Sequence, residues 1–241
     1  MSQKKLNLKD PMVVILAILL VFLTVGTFIQ GIMPQKIVIE LDASYGGEET
    51  GYQGIINEAD FTQAVTDKLA QLLKKDSNFE VKLTHEDGET KSVNERCEKI
   101  NTDSPDMVLS IHATGTPDTT RNGMVVYANI PTSSTHDASL NLTNQIVTAF
   151  HTDAWIPSAS YLYYKPYDDD SYQLQIVSVD DTTDYGFETW EMMEKCDVPV
   201  VIVNQIYVTN QSDIDTWANE DGYTLAANQY YAAIRSYYGF E

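Results

Sequence analysis

The sequence predicts an α/β fold, a mostly parallel twisted sheet with helices on both faces, preceded by one N-terminal transmembrane helix. Three observations predict it. From residue 36 onward, short β-branched apolar runs alternate with stretches of helical spacing, the pattern of strands buried on both faces by helices. Residues 12–29 form an uncharged, mostly apolar run that stays uncharged through Gln35; at about 1.5 Å per helical residue it crosses a hydrocarbon core of about 30 Å. The whole chain has 241 residues, 12 Gly and 8 Pro, which suits one domain of ordinary size plus an appendage.

The N-terminal run is flanked by Lys4, Lys5 and Lys9 on one side and by the single nearby cation Lys36 on the other. The positive-inside bias then keeps residues 1–11 cytoplasmic, makes 12–33 a single-pass anchor and places 36–241 outside as an extracytoplasmic domain. A cleavable signal peptide is the rival reading; its apolar core is shorter, and no A-x-A-like site precedes Pro34.

The exported part opens with a buried strand at 36–42. Phe61, Val65, Leu69, Leu72 and Leu73 then fall on one face of a helix. Residues 79–84 alternate as a strand, 94–100 suit a helix, and 106–113 form a second apolar strand. Another strand covers 123–129 and a helix covers 140–150. Residues 198–208 make a long apolar strand, and Leu225, Ala226, Tyr230, Ala233, Ile234 and Tyr237 trace a closing helix. The stretch 155–184, rich in Tyr, Asp and Ser, fits neither period and reads as an insertion or lid.

Thirty-five acidic residues against fifteen Lys and Arg leave a net charge of −20. Such a surface repels phosphate backbones, so nucleic acid is not a partner. Cys97 and Cys196 are too few for a disulfide framework; they read as buried free thiols unless their Cα atoms come within about 7 Å.

Ligands of open α/β sheets gather beyond the C-terminal ends of strands. Three such ends carry polar residues: Asp42 to Gly47, Ser110 to Thr114, and Asn204 in the last strand. Glu58 stands at the start of the first helix. A Glu and a His converging there have the chemistry of zinc ligands, though a His after an apolar strand is more often hydrogen-bonded structure. Tyr161, Tyr163 and Tyr164, with Tyr167, offer a stacking platform for sugar rings or a partner protein. Asp168, Asp169 and Asp170 with Asp180, Asp181 and Asp184 lack the spacing of a calcium loop and read as solvated surface.

The order of these segments resembles the zinc-dependent N-acetylmuramoyl-L-alanine amidases from Lys36 to about Phe240. Residues 37–47 (IVIELDASYGG) resemble the family's opening strand and D-x-G-H-G-G turn, and Gly54 to Glu58 the segment bearing its glutamate ligand. Thr84, Arg96 and Asn101 resemble the following loop and helix. Residues 106–112 (DMVLSIH) are similar to the D-x-x-x-S-I-H strand, 123–127 to the G-x-x-x-Y strand, and 198–213 to the last strand. The resemblance implies an amidase fold, hydrolysis of the lactyl–L-alanine amide in peptidoglycan, and zinc held by His, Glu and His with a glutamate as general base.

Position by position, Glu58 and His112 match two of the metal ligands, but Tyr45 stands at the first histidine and Asn204 at the catalytic glutamate. Two ligands fall short of the three that a catalytic zinc takes, and an amide accepts no proton. The expectation is a catalytically impaired amidase-like domain that binds peptidoglycan or a cell-envelope protein and needs no cofactor. The alternative is an active zinc amidase using a third ligand from His85, His136 or His151, or a carboxylate from Glu48 or Glu49; each of these reads more simply as exposed surface.

Overall fold

The computed structural model describes residues 11, 12, 14–16, 18–21, 35–167 and 171–240. It divides into residues 1–36 and a second unit, Ile37–Glu241. In the first, residues 11, 12, 14–16 and 18–21 are helical. Among the described residues no helix is long and apolar enough to cross a membrane. Most of the expected anchor at 12–33, nearly all of the expected cytoplasmic stretch 1–11, and Asp168 to Asp170 lie outside the described residues.

The second unit is built on a seven-stranded sheet in the order β2-β1-β3-β7-β4-β5-β6. Its strands are β1 (Ile37–Ala43), β2 (Phe79–Leu83), β3 (Met107–Thr114), β4 (Val125–Tyr127), β5 (Ser158–Pro166), β6 (Tyr172–Ser178) and β7 (Val200–Tyr207). β1 pairs in parallel with β2 and β3, β3 with β7, and β4 with β5. β4 runs antiparallel to β7, and β6 antiparallel to β5. The sheet is therefore mixed around a parallel centre.

The helices are α1 (Glu58–Lys75), α2 (Val93–Asp103), α3 (His136–Phe150), α4 (Glu191–Lys195), α5 (Gln211–Trp217) and α6 (Glu220–Tyr237). Local chemistry sets their ends. Ser92 caps α2 through a capping box with Glu95, and Asn210 and Asn219 cap α5 and α6. Glu58 and Asp60 open α1 and Lys74 and Lys75 close it, in line with the helix dipole.

One face of the sheet is covered by α1, α3, α5 and α6 through Phe61, Leu69, Ile146, Trp217 and Tyr230. The other meets α2 and α4 through Cys97, Ile100, Met192 and Met193. Stripes on both faces are what bury the unbroken apolar runs of β1, β3 and β7. Cys97 and Cys196 are free, buried and hydrogen-bonded to one another. Asn101 aligns them: its amide donates to Lys195 O at 2.8 Å and its oxygen accepts from Asp197 N at 3.0 Å, bracketing Cys196.

The stretch 155–184 is not irregular. It holds β5 and β6, a hairpin whose strand period was hidden because both faces of β5 are buried while β6 is largely exposed. The expectation that His85 is exposed also fails: its Nε2 lies 2.7 Å from Ala43 O and the ring is buried.

Two acidic side chains of β1 are fully buried. Asp42 accepts from Arg96 Nη1 at 2.6 and 2.8 Å, from Ser110 Oγ at 2.5 Å and from Thr84 Oγ1 at 2.6 Å. Burial alone would raise its pKa; Arg96 and the hydroxyl donors overcome this and hold the carboxyl below its ordinary value. Replacing Asp42 by Asn leaves the Arg96 cation buried without its counter-charge. Urea unfolding is expected to show a loss of about 3–5 kcal/mol, largely restored when Arg96→Met is added to Asp42→Leu.

Glu40 is the opposite case. Neither carboxylate oxygen has a hydrogen-bond partner, and Lys99 Nζ lies 3.6 Å away. Burial pushes the group from 4.5 up to about 7 against the pull of Lys99. Since the folded state holds the proton more tightly than the unfolded chain, this residue's contribution is favourable below about pH 4.5 and is lost as pH rises toward 7. Glu40→Gln is expected to flatten that slope in urea titrations and to add about 2 kcal/mol of stability above neutrality.

Candidate functional site

β1, α1, β3 and β7 bring the sequence-predicted residues to one edge of the sheet. Glu58, the first residue of α1, is buried, and three protein donors occupy its carboxylate. Ser44 Oγ donates to Oε1 at 3.2 Å, Ala113 N to Oε1 at 3.0 Å, and Tyr52 N to Oε2 at 3.0 Å. His112 Nδ1 lies 3.5 Å from the same Oε1.

The other ring nitrogen of His112 is held from below. Nε2 is 3.0 Å from Ser110 Oγ, whose own proton goes to Asp42. Ser110 therefore accepts from Nε2–H, and Nδ1 is the nitrogen turned toward Glu58. The ring is aimed by an irregularity: the β3–β7 register shifts between His112 and Thr114.

Tyr45 occupies the remaining side. Its ring meets His112 edge-on at 6.2 Å. Burial and the neighbouring Glu58 carboxylate raise its pKa above the ordinary phenol value, so it stands as a neutral hydroxyl. The turn closes tightly on this pair: Gly51 has φ +65°, and a Cβ there would lie 2.6 Å from Tyr45 Cδ2 and 2.8 Å from Glu58 Oε2. Asn204 lies across from His112 in the β3–β7 register. Its register partner on β4 is Val125, so it faces the same side of the sheet as Tyr127.

Tyr45 and His112 border a cleft of about 340 Å³ whose lining also includes Glu49, Arg96, Tyr164 and Trp190. Trp190, unmarked in the sequence by any motif, packs on both His112 (5.6 Å) and Tyr127 (5.5 Å). Of the three tyrosines expected to stack on a ligand, only Tyr164 lines the cleft. Tyr161 and Tyr163 point to the opposite face of β5 and are fully buried beside Ala128, which removes them from any sugar-binding surface. His136 is turned to Asn129 O at 2.9 Å.

A zinc ion fits this donor set poorly. Glu58 and His112 converge as two ligand types, the third side is a neutral phenol, and the carboxylate is already shared among three donors. Among the described residues no group of three or more His, Cys, Asp or Glu could hold a metal ion.

Comparison with known proteins assigns the domain to a family. Residues 39–236 match the family model Amidase_3, N-acetylmuramoyl-L-alanine amidase. No curated protein matches the chain. Among solved structures, the catalytic domain of the amidase CwlV from Bacillus (Paenibacillus) polymyxa var. colistinus is similar at 20% identity and TM-score 0.65, covering 85% of this chain and 99% of that one. An N-acetylmuramoyl-L-alanine amidase from Clostridium difficile 630 gives 17% identity, TM-score 0.65 and coverage of 85% and 98%. The CwlD amidase from Clostridioides difficile, solved in complex with the GerS lipoprotein, gives 19% identity, TM-score 0.61 and coverage of 84% and 98%. At these identities the structures speak for the fold, while the family match spans most of the sequence. The chain belongs to the N-acetylmuramoyl-L-alanine amidase family and carries its cell-wall amidase-like domain.

Proposed function

We propose that this chain is a membrane-anchored family member whose domain outside the cell does not hydrolyse the lactyl–L-alanine amide and acts instead by binding peptidoglycan or a cell-envelope protein. The observation that carries this reading is the filling of the ligand cluster from within: Tyr45 stands where a third ligand belongs, and Glu58 already accepts from Ser44, Tyr52 and Ala113. Amide hydrolysis needs a polarised carbonyl and a water stripped of its proton. Asn204, beside His112, is an amide and takes up no proton, which by itself forfeits about 10²–10⁴-fold in rate. The solved complex of CwlD with a lipoprotein supports a protein as one class of partner for this fold.

A second reading, an active zinc amidase, draws on one specific observation, the 3.5 Å approach of His112 Nδ1 to Glu58 Oε1. The two readings part in a simple assay. The purified chain is expected to release no stem peptide from sacculi, with or without added zinc, and to retain no zinc through dialysis. The double variant Tyr45→His/Asn204→Glu is expected to retain about one equivalent of zinc. Stoichiometric zinc in the unaltered chain, together with stem-peptide release, would establish the second reading. For the anchor, the full chain is expected to stay in the membrane pellet through carbonate extraction and to be degraded by protease added outside intact cells; recovery in the soluble fraction would refute it.

A further inference from the structure

Cys97 and Cys196 join two elements that wall one cleft. Cys97 lies on α2 and Cys196 directly follows α4. They are 3% and 6% exposed, in one buried cluster with Ile100, Met192 and Met193. Asn94 and Asn101 stand three residues before Cys97 and four after it, on the same face of α2. Lys195 Nζ donates to Asn94 Oδ1. The Asn101 amide donates to Lys195 O at 2.8 Å, and its oxygen accepts from Asp197 N at 3.0 Å. Three hydrogen bonds thus lay residues 195–197 along the turn of α2 that bears Cys97, and the middle residue of that segment is Cys196.

The pair is chemically asymmetric. The hydrogen bond from Cys196 holds the Cys97 thiol below its ordinary pKa; burial opposes this and Arg96 adds to it. The same bond and burial push Cys196 up. One sulfur is therefore prepared as a nucleophile, with a second beside it to resolve a mixed disulfide. On the cleft side, α2 supplies Val93 and Arg96, while Trp190, Glu191 and Met192 come from α4 and the residue before it. α4 has only five residues, and Glu191, Glu194 and Lys195 among them are exposed. So short a helix opens locally at little cost, which gives an oxidant its way in.

We propose that Cys97 and Cys196 form a disulfide in the exported chain, a cross-link that fixes α4 to α2 and with them the two walls of the cleft. The oxidant is an external disulfide, small or protein-borne. The Cys97 thiolate attacks one of its sulfurs and expels a thiolate. Cys196, its proton lost to water, then attacks Cys97 Sγ in the mixed disulfide and expels the second thiolate. The two cysteines are oxidised, and the oxidant leaves as two thiols. The bond closes a loop of about 100 residues, long enough to constrain the unfolded chain strongly. Oxidants of this kind act outside the cytoplasm, so the proposal rests on the export part of the reading above and not on the loss of catalysis.

The test equilibrates the detergent-solubilised full chain with oxidised glutathione, quenches it with acid, alkylates it and digests it. The expected result is a mass loss of about 2 Da, no alkylated cysteine, and one linked pair of peptides that a reductant separates. Hydrogen exchange over residues 191–197 is expected to slow about tenfold on oxidation while α1 is unchanged; Cys97→Ser/Cys196→Ser shows neither effect. Two alkylated thiols, a lasting glutathione adduct on either cysteine, or a bridge between two chains would overturn the proposal. A bridge that leaves exchange at 191–197 unaltered would refute the fixing of α4. Chain quenched directly from cells is expected to be bridged already. Free thiols there, in a chain that external protease reaches, would also count against the cross-link. Free thiols in a chain that protease does not reach would defeat the export reading, and the bridge formed with glutathione would stand.

Discussion

The buried pairing of Asp42 with Arg96 is the interaction on which the site depends. Its partners come from four places in the chain: β1, the residue just after β2, α2 and β3. A carboxylate taken wholly out of water stays charged only if every lone pair is answered, and here Thr84, Ser110 and Arg96 answer them. That requirement fixes where β1 ends relative to β3, and so where Ser44 and His112 stand. Through Ser110 the same carboxylate also fixes which face of the His112 ring is held, with Nε2 on Ser110. The geometry at the strand ends is thus set one layer below them.

Above that layer the family's fold carries a cluster of four side chains, Tyr45, Glu58, His112 and Asn204. Glu58 and His112 keep the approach that two ligands of one ion would need, and hydrogen bonds from backbone and Ser44 have closed around the carboxylate. Tyr45, made less acidic by burial and by Glu58, completes the cluster as a packing group. Asn204 stands across from His112 on β7. A polar cluster satisfied from within can serve rigidity and shape without serving turnover.

Much of this was legible in the sequence, because apolar period and motif order survive folding unchanged. The strands around Ile39, Leu109 and Val201 and the helix faces through Leu69 and Tyr230 follow from spacing alone. The motif order brought Tyr45, Glu58, His112 and Asn204 together on paper before any coordinate did. What escaped were properties that depend on contacts distant in sequence. The hairpin of β5 and β6 was hidden since Tyr161 and Leu162 are both buried, on opposite faces, and erase the alternation. Trp190 carries no signal until α4 sets it on His112. The burial of His85 comes from a carbonyl 42 residues away.

The close approach at Gly51 ties a loop to the side chains it covers. Because its backbone lies against both the Tyr45 ring and the Glu58 carboxylate, the loop is a cast of the present side chains. An imidazole at position 45 is shorter than the phenol and leaves space between the loop and the Glu58 carboxylate. The backbone path of the loop is thus matched to the bulk of residue 45, and a change in one is felt by the other.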